Sequence, residues 1–158
     1  MEPERLVLLR ADIEAQLAEI DSIYDRIDAR ATVPGEAGAE SLAFQLHNLY
    51  CAFEDLFQLI AAAFENHIVA DGGYHVGLLK RMRVAVPGVR PPVIDAQLFA
   101  PLDSLRAFRH FFRHAYGSVV DVRKVELVRQ DAAQLRTGYR SAVALRYQYE
   151  IASCSRHR

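Results

Sequence analysis

Leu102-Asp-Ser-Leu105-Arg106-Ala107-Phe108-Arg109-His110-Phe111-Phe112-Arg113-His114-Ala115-Tyr116 is the stretch that decides how this chain folds. At about 100° per residue on a helix, Arg109, Arg113, Arg106, His110 and His114 share one arc of about 140°. Leu105, Ala107, Phe108, Phe111, Phe112 and Ala115 fill the other side, and Tyr116 lies at its edge. A helix so divided needs neighbours to cover its aromatic side. The chain around it is therefore read as the bundle that supplies them.

The polar arc admits two readings. Charges cover the outer face of any amphipathic helix, and arginines near a helix C-terminus are favoured by the macrodipole. Solvated faces usually mix both signs, however, whereas Arg106 to His114 contains no carboxylate. Two histidines one turn apart also supply groups that titrate near neutrality. On the second reading the arc is an anion site.

Working outward, the motif helix is expected from Asp95 to Tyr116, with a restart at Pro101 and Gly117 as C-cap glycine. Upstream, the three prolines and one glycine of Val86 to Val93 predict an extended connector. Tyr74 to Met82 reads as a short helix with Leu78, Leu79 and Met82 inward, after a turn at Asp71-Gly-Gly73. Its Lys80 and Arg81, with Arg83, are either solvated or set against a nucleic-acid backbone. Ala39 to His67 is the core helix, with Leu42, Leu46, Leu49, Phe53, Leu56, Phe57, Ile60 and Phe64 on one side. His47, Cys51, Glu54, Gln58 and Glu65 form a stripe opposite. That stripe either faces solvent or borders the site, with Glu54 orienting an arginine or histidine of the arc.

Leu6, Leu9, Ile13, Leu17, Ile20, Tyr24 and Ile27 give helical spacing over Pro3 to Arg30, and Ala31 to Gly38 reads as a loop. Downstream, Asp121 is a candidate N-cap for a last helix carrying Val125, Val128, Ala132, Leu135, Tyr139, Val143 and Leu145 inward. Residues 151–158 read as a frayed tail. The expected architecture is all-α: four long helices and one short one in a single domain spanning 1–158.

Composition narrows the function. The formal net charge is −1 over 158 residues, so no global basic field advertises nucleic acid and any anion site must be local. Cys51 and Cys154 are too few for a disulfide framework and read as free thiols in a reducing cytoplasm. No apolar run approaches the length of a membrane span, so no membrane partner is expected. No Glu has a His three positions on, no His-Glu-x-x-His occurs, and neither a phosphate-binding glycine loop nor a Gly-x-Ser-x-Gly elbow is present. No metal or other cofactor is expected. Metal-free acid–base chemistry on a phosphate remains, and RNA offers it through its own 2′-hydroxyl: a histidine can take the proton while an arginine fork receives charge on the phosphate.

Arg109, four residues, His114, one residue and Tyr116 make the pattern R-x4-H-x-Y. It resembles the signature of the HEPN superfamily, specifically the HepT-like toxins of prokaryotic toxin–antitoxin pairs. The resemblance runs from about Ser41 to about Arg146. It gains specificity from the motif's place at the end of a penultimate helix and from the preceding L-H-N-L-Y-C-A-F-E-D-L-F helix, Leu46 to Phe57. One departure is His110, where many members carry Asn.

The resemblance implies an antiparallel HEPN-type bundle and a homodimer whose ribonuclease site is built at the subunit interface. Arg109 and His114 would be catalytic, Arg113, His110 and Arg106 would bind substrate, and His47 and Glu54 would lie nearby. Tyr116 would be the acceptor for nucleotidylation by a partner nucleotidyltransferase antitoxin. The function expected is thus a metal-independent endoribonuclease toxin. Its alternatives are a non-catalytic nucleotide- or anion-binding partner of a nucleotidyltransferase, and a structural bundle whose arc meets an acidic partner. Because Arg109 and His114 both lie on the polar arc, replacing either by Ala is expected to leave the fold nearly unchanged.

Overall fold

A computed structural model describes residues 3–65, 74–114, 117 and 119–144. It contains α1 (Pro3–Ala31), α2 (Gly35–Glu65), α3 (Tyr74–Met82), α4 (Ala96–His114) and α5 (Val122–Arg136), with a further helical segment over 139–144. Among the described residues there is no strand, only one bridge between Val86 and Arg90. The fold is the expected all-α bundle. No described helix is long and apolar enough to cross a membrane.

The centre is α2, which packs on every other helix. Leu46, Leu49, Tyr50, Phe53, Leu56 and Phe57 are all buried, so its apolar residues cover more than one face. α1 lies along it through Ile13, Leu17, Ile20, Tyr24 and Ile27, at the spacing expected. Leu6 is only half-buried, and Ile23 joins the core instead. The polar atom of Tyr24 is satisfied, its hydroxyl donating to the Ala132 carbonyl at 2.8 Å.

α2 begins earlier than the glycines suggested. Gly35 to Gly38 form its first turn, and only Thr32 to Pro34 connect it to α1. Gly35 takes φ +82°, and a Cβ on Gly38 would stand 2.1 Å from the Val33 carbonyl oxygen. The glycines are there to let the connection fold tightly over the helix start rather than to prolong a loop.

The connector before α4 is non-helical, as its prolines require, but it is not the extended run expected: Val86 pairs with Arg90 across a turn in which the Val89 and Arg90 amides both donate to the Val86 carbonyl and Gly88 takes φ +75°. Arg90, almost fully buried, ties it down by donating from Nη1 to the Val84 and Pro91 carbonyls and from Nη2 to the Arg81 carbonyl. Asp95 caps α4 by accepting from the Leu98 amide at 2.9 Å. α4 then runs through Pro101 without restarting, contrary to the sequence reading. Pro101 is in the second turn and buried, so the apolar ring packs inward while only one ladder hydrogen bond is forgone.

Asp121 caps α5, as expected, by accepting from the Arg123 amide. The last helix is not continuous: Thr137 and Gly138 form a turn in which both amides bond back three residues, to Gln134 and Leu135. The Thr137 hydroxyl also donates to the Gln134 carbonyl, at 2.8 Å. Gly138 lies against Leu98 of α4, which would be 3.2 Å from a Cβ there. Tyr139 and Val143 still reach the core beyond the turn. Leu145 and the 151–158 tail lie outside the described residues.

Candidate functional site

The residues of α4 that are buried are Leu98, Pro101, Leu102, Leu105 and Phe108, with Phe112 half-buried. Leu98, Leu102, Leu105, Arg109 and Phe112 are spaced four and three apart, so one stripe runs down the helix and Arg109 stands in it. The apolar face read from the motif alone is therefore displaced. Ala107 and Phe111, assigned to it, are exposed, Phe111 by 42%. Arg109, assigned to the outer arc, faces α2.

There it meets the stripe His47, Cys51 and Glu54, whose spacing places them on one side of α2. Arg109 Nη2 is 3.4 Å from Glu54 Oε2, in a pair whose side chains are 13% and 6% exposed. Arg109 Nε donates to Cys51 Sγ at 3.2 Å. Cys51 Sγ in turn lies 3.7 Å from His47 Nε2. The His47 ring packs 5.4 Å from that of Phe112, and its Nδ1 is buried without a hydrogen-bond partner. These three residues face α4 rather than solvent. Gln58 is half-buried, and the Glu65 side chain lies outside the described residues.

Electrostatics follow from the packing. Burial would lower the proton affinity of Arg109, but the Cys51 hydrogen bond and the Glu54 charge outweigh it, and the guanidinium is held above its ordinary value. The Tyr50 phenol, buried beside Glu54, is pushed up mainly by desolvation. His47 is pushed below its ordinary value, first by desolvation and then by the Arg109 and Arg113 charges. It is a neutral imidazole at neutral pH.

This depression has a sign for stability. A histidine whose folded pKa lies below its unfolded one protonates first in the unfolded chain, so its stabilising contribution is complete above about pH 6.5 and is lost as pH falls through the folded value. Denaturant midpoints measured from about pH 8 to about pH 5 should therefore fall more steeply for the wild type than for His47→Gln. Parallel curves would show that His47 titrates normally.

The rest of the arc divides. Arg106 Nε is 2.7 Å from Asp103 Oδ1, one turn back on the same helix. The absence of carboxylates between Arg106 and His114 thus did not keep the arc free of them, since Asp103 precedes it and Glu54 crosses to it from α2. Arg113, His110 and His114 are exposed. The two imidazoles are neighbours, with ring centroids 4.7 Å apart. Tyr116 lies outside the described residues. Gly117 has φ +77°, the left-handed conformation of a C-cap glycine.

Around α4 and α5 lie exposed apolar residues that sequence reading missed. Phe111, Val119, Val122 and Leu127 are all exposed, by 42%, 74%, 57% and 62%. A cavity of about 150 Å³ opens among Phe108, Phe111, Phe112, Val119, Val120 and Lys124. Lys124 Nζ stands 3.7 Å over the Phe111 ring. Among the described residues no three His, Cys, Asp or Glu side chains converge as a metal site requires. The chemistry on offer is that of a buttressed guanidinium, exposed imidazoles and an exposed arginine.

Comparison with known proteins identifies a family. A family model described as HepT-like protein matches residues 41–149. No curated protein and no solved structure gives a significant match.

Proposed function

Because the chain belongs to the HepT-like family of the HEPN superfamily, we propose that it is an endoribonuclease toxin acting without a metal ion, as a homodimer, and silenced by a nucleotidyltransferase antitoxin. The observation that carries the reading is that the last turns of α4 hold both a guanidinium fixed by Glu54 and Cys51 and the exposed His110–His114 pair.

In this reading the 2′-hydroxyl of RNA is the nucleophile. His114 takes its proton as the O2′–P bond forms, the P–O5′ bond breaks, and the departing O5′ receives a proton from a second imidazole, leaving a 2′,3′-cyclic phosphate. Arg109 and Arg113 receive the charge that grows on the nonbridging oxygens. A guanidinium carries five N–H donors, and the Cys51 and Glu54 contacts leave others for phosphate. His110 and Arg106 flank the bound strand.

A second copy is part of the proposal for a geometric reason. Arg109 and His114 diverge by about 140° around one helix, too far to grip one phosphate from a single chain. A two-fold neighbour would supply the missing half. The exposed Phe111, one turn before His114 on α4, supports such a contact.

The test is incubation of a mixed RNA with the purified protein in excess chelator. Cleavage leaving cyclic phosphate ends is expected, and intact RNA that is cut only after magnesium is added would overturn the reading. Binding of RNA or nucleotide with no cleavage would instead favour the non-catalytic alternative, which the inward-facing Arg109 also suits.

Silencing is assigned to Tyr116, two residues past His114 in the sequence. A nucleoside phosphate on its hydroxyl would bring negative charge beside the arginines and compete with RNA. Intact mass after co-expression with a nucleotidyltransferase antitoxin of the kind proposed should show added nucleotide on the wild type and none on Tyr116→Phe. Equal labelling of both would remove Tyr116 from the scheme.

A further inference from the structure

We propose that Cys51 is a positioning residue for Arg109: its sulfur, set between the guanidinium and the His47 ring, fixes the direction in which Arg109 presents its remaining N–H groups. The inference rests on the ribonuclease reading above for its kinetic consequence, and on geometry alone for the contact itself.

Arg109 meets α2 at two points. The Glu54 carboxylate supplies charge at Nη2, 3.4 Å away, a separation at which attraction persists but direction is weakly defined. The sulfur supplies an acceptor at Nε, 3.2 Å away. One contact would leave the planar group free to swing about it. Two contacts along the shared Nε–Nη2 edge fix the plane, and with it the aim of the remaining N–H groups.

His47 explains why the sulfur acts as an acceptor. Its Nδ1 is buried and makes no hydrogen bond, so a proton there would be an orphaned donor, the costlier of the two unsatisfied states. The proton is therefore placed on Nε2, which faces Cys51 Sγ at 3.7 Å. Arg109 Nε–H and His47 Nε2–H then both point at one sulfur. The ring is held in this pose by Phe112, which follows Arg109 by three residues on α4. The assembly is thus closed: α2 supplies the sulfur, carboxylate and imidazole, and α4 supplies the guanidinium and the ring that packs the imidazole.

Three substitutions separate this role from packing. Cys51→Ala removes the acceptor and some volume, Cys51→Val removes the acceptor but keeps bulk, and Cys51→Ser keeps an acceptor on a shorter bond. With a fluorogenic RNA oligonucleotide, Ala and Val should each lower kcat by about tenfold, equivalent to about 1.4 kcal/mol of transition-state stabilisation, while KM moves by less than about twofold. Ser should recover part of the loss. Wild-type kcat in Cys51→Val, or a loss in Ser equal to that in Ala, would overturn the proposal.

An arm independent of activity reads the contact directly. The Arg109 side-chain Nε–H resonance, assigned by its disappearance in Arg109→Lys, should exchange slowly with water in the wild type and quickly in Cys51→Ala and Cys51→Val. An unchanged exchange rate refutes the positioning role. If the wild type cuts no RNA, the ribonuclease reading falls, and this measurement still decides whether Cys51 holds Arg109.

Discussion

Arg109→Ala should abolish RNA cleavage and also destabilise the protein by about 2–3 kcal/mol, because it removes the cation that a nearly buried carboxylate faces. For a domain of this size such a loss lowers the melting temperature by about 5–10 °C. This corrects the expectation, drawn from the outer arc, that truncation would leave the fold unchanged. His114→Ala should behave differently, since His114 is exposed. Cleavage should fall by at least about a hundredfold, the usual scale of a general base, with an unaltered melting temperature.

Arg109→Lys makes the comparison sharper. Lysine keeps a positive charge for Glu54 but has no Nε–H for Cys51 and no fork for phosphate. Its stability should lie between the wild type and Arg109→Ala, with cleavage reduced by about 10²–10³-fold. Melting and single-turnover cleavage of the three variants decide the matter. Wild-type activity in Arg109→Lys would remove Arg109 from the reaction, and an equal stability loss in His114→Ala would mean that His114 is structural.

What the sequence disclosed depended on the range of the forces involved. The core positions of α1 and α5 were legible because a helix displays its buried face every three or four residues, and Ile13, Leu17 and Ile20, like Val125, Val128, Ala132 and Leu135, repeat at that interval. Asp121 was legible because an N-cap is a local hydrogen bond to the Arg123 amide. The start of α2 was not, because glycine signals both a loop and a tight approach. Only the Val33 carbonyl over Gly38 distinguishes them. The turn at Thr137 and Gly138 was hidden for a similar reason: Leu98, far away in sequence, packs on Gly138.

The site followed the same rule. His110 and His114 adjoin because they are one turn apart on one helix. Arg109 was misplaced because a wheel drawn on the motif alone weighs the aromatics Phe108, Phe111 and Phe112, whereas Leu98, Leu102 and Leu105 earlier in α4 set which side faces α2. Extending the wheel back to Leu98 would have put Arg109 in the buried stripe. Its partners Cys51 and Glu54 stood in a stripe whose direction no local pattern could determine, since α2 is surrounded on several sides.

Phe111→Glu should convert the proposed dimer to a monomer and remove cleavage with it. Phe111 is exposed, as are Val119, Val122 and Leu127, and it precedes His114 by three residues on α4. In the single chain the substitution is mild: the aromatic ring is already 42% exposed. A glutamate there would also stand near Lys124, whose ammonium now sits over the ring. Buried between two copies, the same carboxylate appears twice around the symmetry axis, and stripping water from it costs several kcal/mol on association even with Lys124 beside it. A loss of about 3 kcal/mol raises the dissociation constant by about a hundredfold. Light scattering at micromolar concentration should therefore show a dimer for the wild type and a monomer for Phe111→Glu, with unchanged helical content. Val7→Glu is the control, because Val7 is exposed by 68% on α1 rather than on the α4–α5 surface, and it should remain dimeric and active. If Phe111→Glu stays dimeric and cuts RNA, the α4–α5 surface is not the contact and the shared site must be abandoned; if Val7→Glu dissociates instead, the second copy sits on α1, away from the imidazoles.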